Sequence, residues 1–209
     1  MSSIDVGSIV PSTRDLLQVL STRRRSTAVV AVLGEDRPGD EAARLSELNV
    51  SAFALVEPGP AMTLAARATK TVPVLSLTPV SEREDFLRAR YFGADGVCID
   101  ASLGLDEWDK RAKTARMTRM LPLAFATDAA GVKGAVDAGA KALLVRAATV
   151  DELLALIGPV PRGMTLVAHV TEADAAGLRK LGGKVDAALI PPALCASPEM
   201  AALVAELDP

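Results

Sequence analysis

The chain has 209 residues, half of them hydrophobic but only 3% aromatic, and a formal net charge of -3. That length supports one domain with a full core, and the core must be aliphatic, built from Ala, Val and Leu. The charge leaves no footprint for nucleic acid or for an anionic membrane surface, and no apolar run reaches the ~18 residues needed to span a bilayer. The start, MSSIDVGS, lacks the basic region and apolar run of a signal peptide. Cys98 and Cys195 both sit in apolar, strand-like contexts, so reduced thiols in a cytoplasmic protein are expected.

In chain order, Ser12 and Asp15 have capping-box spacing and predict a helix from Thr13 to about Arg24. Arg23, Arg24 and Arg25 would complement its negative end. Ala28 to Leu33 is a continuous apolar run, as in a strand buried on both faces. A loop and a helix to about Leu48 follow, then a strand at Ala52 to Val56 and a helix near Ala61 to Thr69. Val72 to Leu77 reads as strand three. Ser81 and Glu84 form a capping box for a helix to Phe92, which Gly93 ends by accepting a left-handed backbone. Asp95 to Asp100 is strand four, and Leu105 to Thr118 a helix rich in Lys and Arg.

Leu121 to Ala126 is strand five, and Asp128 caps the helix that ends before Gly139. Ala142 to Arg146 is strand six, and the capping box of Thr149 and Glu152 opens a helix to Gly158. Thr165 to His169 is strand seven. Thr171 and Asp174 have near capping-box spacing for the next helix. Asp186 to Ile190 is strand eight, and Ser197 caps the last helix with Pro198 at its first position. Eight strand–helix units in this order predict an α/β fold, a compact (β/α)8 TIM barrel with one extra N-terminal helix. Residues 1–27 would be the N-terminal segment and helix, and 28–209 the barrel.

The stretch PVLSLTPVSEREDFLRARYFGADGVCID resembles the third and fourth units of indole-3-glycerol phosphate synthase, a ribulose-phosphate-binding barrel. RARYFGAD, Arg88 to Asp95, matches that family's helix end and turn. A weaker resemblance covers about residues 10 to 207. The family is a carbon–carbon lyase, and the resemblance implies where its chemistry would sit. Those positions are changed. The first strand carries Val32 and Gly34 in place of Glu and Lys, and only Pro38 remains of the following SPS motif. Leu77 stands for the Lys described as the general acid. Phe125-Ala126-Thr127 stands where the catalytic Glu would be, and Arg146 where the family has Asn. His169-Val170-Thr171 replaces ESG, and Pro191-Pro192-Ala193 replaces GES. Leu77 and Ala126 exchange no protons, and proline has no N–H to offer a phosphate. The synthase activity is therefore expected to be absent, and no residue is carried over as catalytic.

Function in such a barrel sits at the C-terminal ends of the strands. Those positions hold Glu35 with Asp36, Glu57, Ser76, Asp100, Thr127 with Asp128, Arg146 and His169. His169, the only histidine, titrates near neutrality when unperturbed. Arg146 suits a carboxylate or phosphate, and Asp100 is placed to act as a base or to orient His169. The plainer expectation is a plugged mouth, with Arg146 salt-bridged between Asp100 and Glu57. On the helix after strand four, Trp108 and Arg111 mark a candidate partner surface, because Trp and Arg are common interface anchors. No glycine fingerprint and no Cys/His spacing points to a cofactor or a metal.

The leading expectation is a catalytically degenerate barrel, a pseudoenzyme serving in binding, scaffolding or regulation. Its partner would be an unidentified protein or a second copy of the chain, with a small anionic ligand as a further option. The alternative is an enzyme rebuilt around Asp100, Arg146 and His169 for a small anionic or phosphorylated metabolite, including one related to the tryptophan pathway.

Overall fold

A computed structural model describes residues 9–21 and 26–208. Eight parallel strands close into a barrel in chain order. They are β1 Ala28–Val32, β2 Ala52–Leu55, β3 Val74–Ser76, β4 Gly96–Asp100, β5 Leu121–Ala126, β6 Ala142–Ala147, β7 Thr165–Val170 and β8 Ala187–Ile190. The helix α1 Leu16–Leu20 precedes β1. The crossovers are α2 Pro38–Ser46, α3 Pro60–Ala68, α4 Arg83–Phe92, α5 Leu105–Met117, α6 Ala129–Asp137, α7 Val150–Ile157 and α8 Ala175–Arg179. After β8 come α9 Pro192–Cys195 and α10 Met200–Leu207. No helix among the described residues is long and apolar enough to cross a membrane.

Closure follows from strands that are apolar on both faces. All five residues of β1 are buried, and β1 pairs with β2 on one side and β8 on the other. Alternate residues serve two cores, because side chains alternate across a strand. Val30, Leu75, Cys98, Leu123, Leu144 and Val167 fill the barrel. Val29, Phe53, Ile99 and Val145 face the helices, where Phe86, Trp108 and Leu153 meet them. This alternation decides which strand-end residues reach the mouth.

The bottom of the barrel is lined by small residues, Ala28, Ala52, Ala142 and Ala187, and Leu16 and Leu20 of α1 fill the space they leave. Gly96 belongs to the same layer: a Cβ there would stand 2.3 Å from Leu16 Cδ2. Asp95, fully buried, ties the N-terminal segment in place. Its carboxylate accepts from Ser12 Oγ at 2.7 Å and Val74 N at 2.8 Å. It also pairs with Arg14 at 2.8 Å and Arg90 at 2.9 Å. Four donors satisfy a charge that would otherwise be costly to bury.

Several helix ends differ from expectation. The first helix has five residues, and its cap is Asp15, which accepts from Gln18 N at 3.0 Å. Ser12 lies before the helix, its hydroxyl donating to Asp95 and accepting from Arg14 N at 3.2 Å. Arg23, Arg24 and Arg25 lie outside the described residues. The α4 box falls one residue later, on Glu82 and Asp85, because Asp85 reaches back to Glu82 N at 3.0 Å. Cys195 lies in the unforeseen α9, with Pro192 at its first position, rather than in a strand. The last helix starts at Met200, and Ser197 Oγ accepts from Glu199 N at 3.2 Å just before it. The boxes at Thr149–Glu152 and the cap at Asp128 form as the sequence implies.

Candidate functional site at the barrel mouth

Four inward-facing side chains sit one layer above the filled interior at the C-terminal ends of adjacent strands. Each lies two residues beyond a barrel-filling neighbour: Asp100 after Cys98, Phe125 after Leu123, Arg146 after Leu144 and His169 after Val167. In the sheet register Asp100 stands beside Phe125, and Arg146 beside His169. On the other half of the rim, β1 to β3 present Val32, Val56 and Leu77, so the mouth is polar on one side and apolar on the other.

Arg146 is exposed. Its guanidinium carbon stands 5.0 Å from the centre of the Phe125 ring, within cation–π range. No carboxylate among the described residues pairs with it, so the expected plug of Arg146 between Asp100 and Glu57 does not form. Asp100 instead turns to its own loop and accepts from Ser102 N at 2.8 Å. It makes no hydrogen bond to His169, three strands away. Phe125 is the member of this group that sequence reasoning missed as a site residue. The inward parity of β5, two residues past Leu123, was the available signal.

His169 is half-buried beside Arg146. Burial, and then the Arg146 charge, lower its pKa from 6.5 to about 4. It is therefore a neutral imidazole at physiological pH. Beneath the mouth, burial pushes the Cys98 thiol up to about 12 despite the opposing pull of Arg146. Cys195 is also raised to about 12, by burial first and then Glu41. Neither thiol is a nucleophile in this state.

Three of the expected site residues lie elsewhere. Ser76 neighbours the inward Leu75, so it faces the helices, and it is buried with no hydrogen-bond partner for its hydroxyl among the described residues. Glu35 and Glu57 are exposed loop residues with no ion pair among the described residues. Asp36 is likewise exposed, and Asp128 is occupied as the α6 cap, accepting from Gly131 N at 2.8 Å. Beside Arg146 a cleft of about 590 Å³ continues over Thr127, Ala148 and Thr171 towards α7. Among the described residues no group of three or more His, Cys, Asp or Glu side chains is placed to hold a metal ion.

The expected partner surface on α5 is corrected. Trp108 is 2% exposed and packs into the helix–sheet core. Trp108, Ala112 and Ala115 form the buried stripe of the helix, at helical spacing that was legible in the sequence. Arg111 is partly covered and lies 3.9 Å from Glu107.

No family model matches this chain, and no curated protein does. Solved structures do. A thiamine phosphate pyrophosphorylase from Pyrococcus furiosus is similar at 14% identity, over 88% of this chain and 95% of that one, with a TM-score of 0.63. A 3-hexulose-6-phosphate synthase is similar at 15% identity, over 87% of this chain and 98% of that one, with a TM-score of 0.69. At such identities the likeness establishes the barrel fold.

Proposed function

We propose that this barrel holds a small anionic metabolite at its mouth through Arg146. On this reading it is a non-catalytic relative of indole-3-glycerol phosphate synthase among the ribulose-phosphate-binding barrels. The observation that carries the reading is the exposed guanidinium on the inward face, laid over Phe125 with no carboxylate partner among the described residues. An arginine so placed has its donors free for a bidentate carboxylate or phosphate. The two fold neighbours are both named for phosphate esters, which agrees with that ligand class.

The same rim argues against turnover. The inward residues at the ends of β3 and β5 are Leu77 and Phe125, which have no proton to exchange. His169, with a pKa of about 4, is a weak base near neutrality. Asp100 is bonded within its own loop and does not orient His169. After β8, Pro191 and Pro192 lack the N–H groups that a backbone phosphate cradle uses. Trp108, one of the two residues of the candidate partner surface on α5, is buried.

The test is thermal unfolding with and without inorganic phosphate and indole-3-glycerol phosphate. A ligand at about 100 times its dissociation constant adds ~2.7 kcal/mol of stability. An upward shift abolished in Arg146→Ala is the expected result. No shift with any anion removes the reading, and ring closure of the phosphoribulose substrate by purified protein removes its non-catalytic part.

A further inference from the structure

The strongest unassigned feature lies at the opposite end of the barrel from Arg146. A cleft of about 430 Å³ opens between the N-terminal segment, the end of α5 and the starts of β5 and β6. Leu17, Met120 and Pro122 give it apolar walls, and Trp108 forms part of its lining. The indole N–H of Trp108 is buried without a hydrogen-bond partner among the described residues.

The charge balance of this cleft is positive. Both of its carboxylates are engaged, Asp95 by Arg14 and Arg90, and Asp15 as the cap of α1. Arg116 lies 3.9 Å from Asp109. Arg119 and Lys141 are exposed and have no carboxylate partner among the described residues. Arg119 also has a left-handed backbone, with φ of 56°, just past the end of α5. Glycine is the residue that such a position favours. An arginine there accepts some backbone cost and places a cation on the rim of the cleft.

We propose that this cleft binds a small amphipathic anion. Its carboxylate or phosphate would meet Arg119 and Lys141, and its apolar body would pack against Leu17, Met120 and Pro122 beside Trp108. The site is separate from the mouth and does not depend on the function proposed for it.

Trp108 is the chain's only tryptophan, so its emission reports this cleft. The experiment titrates the full chain with phenyl phosphate and follows tryptophan fluorescence. The expected result is a saturable change whose dissociation constant rises tenfold or more in Arg119→Gly and again in the double variant with Lys141→Ala. Arg119→Gly suits the left-handed backbone, so the variant should remain folded, and an unchanged melting temperature verifies it. No saturable response in the parent chain overturns the inference. So does an unchanged dissociation constant in the double variant, and so does a response lost in Arg146→Ala but kept in the double variant, which would place the ligand at the mouth.

Discussion

The two ends of the barrel treat charge in opposite ways. At the bottom, Asp95 is buried and saturated, with two arginines, a serine hydroxyl and a backbone N–H on one carboxylate. At the mouth, Asp100, Arg146 and His169 share a rim without bonding to one another among the described residues. A saturated buried network holds structure together and has no capacity left for a ligand. Rim groups that are not tied to one another add little to stability, and Arg146 is available to bind. The bottom also holds chain segments distant in sequence, whereas the mouth groups rise directly from their own strands.

The largest expected effect tests the bottom. Asp95→Ala leaves the partly buried Arg14 and Arg90 without their carboxylate, and should cost ~3–5 kcal/mol in denaturant unfolding. A loss under ~1 kcal/mol would mean that the network does not anchor the N-terminal segment. Next comes the pH response of the mouth. The pKa of His169 is depressed from 6.5 to about 4, so between these values the unfolded chain binds more protons. The stabilisation is complete above pH 6.5 and is lost as pH falls towards 4. The shift corresponds to ~3 kcal/mol at most. Stability curves at pH 7 and pH 4 should therefore diverge less in His169→Gln than in the parent; equal divergence would contradict the assignment.

Gly96→Ala should cost ~1–3 kcal/mol by overpacking against Leu16. Because the clash is with the end of a flexible side chain, Leu16→Ala in the same chain should recover part of that loss. Simple additivity in the double-mutant cycle would show that the two do not meet. The smallest effect returns to the mouth. Arg146→Ala should change stability by less than ~0.5 kcal/mol without ligand, as for an exposed side chain. A larger loss would show that Arg146 holds structure, as the groups at the bottom do.

Much of the architecture was readable locally. The apolar runs gave the strands, and the caps at Asp128 and Thr149 announced their helices. At Ser81 a neighbouring carboxylate, Asp85, takes the groups that a cap would serve. At Ser12, Thr171 and Ser197 the helix begins further along the chain, with Asp15, Asp174 and Glu199 in turn at the cap position. At the mouth, Asp100, Arg146 and His169 were correctly placed at strand ends. Ser76 also ends its strand but faces the helices, because the barrel-filling residue beside it, Leu75, takes the inward parity. Trp108 faces the core because Ala112 and Ala115, four and seven residues on, share its stripe, a spacing that outweighs the frequency of tryptophan at interfaces.

By itself, then, the sequence determined the succession of strands and helices and hence the barrel, because apolar runs, caps and turns act over a few residues. Only the tertiary structure decided which polar groups meet. The bond from Ser12 to Asp95 spans 83 positions of chain, and the neighbourhood of Arg146 and Phe125 depends on the register of a closed sheet. Local rules do not specify such pairings, since they form only when closure of the barrel brings distant segments to one end.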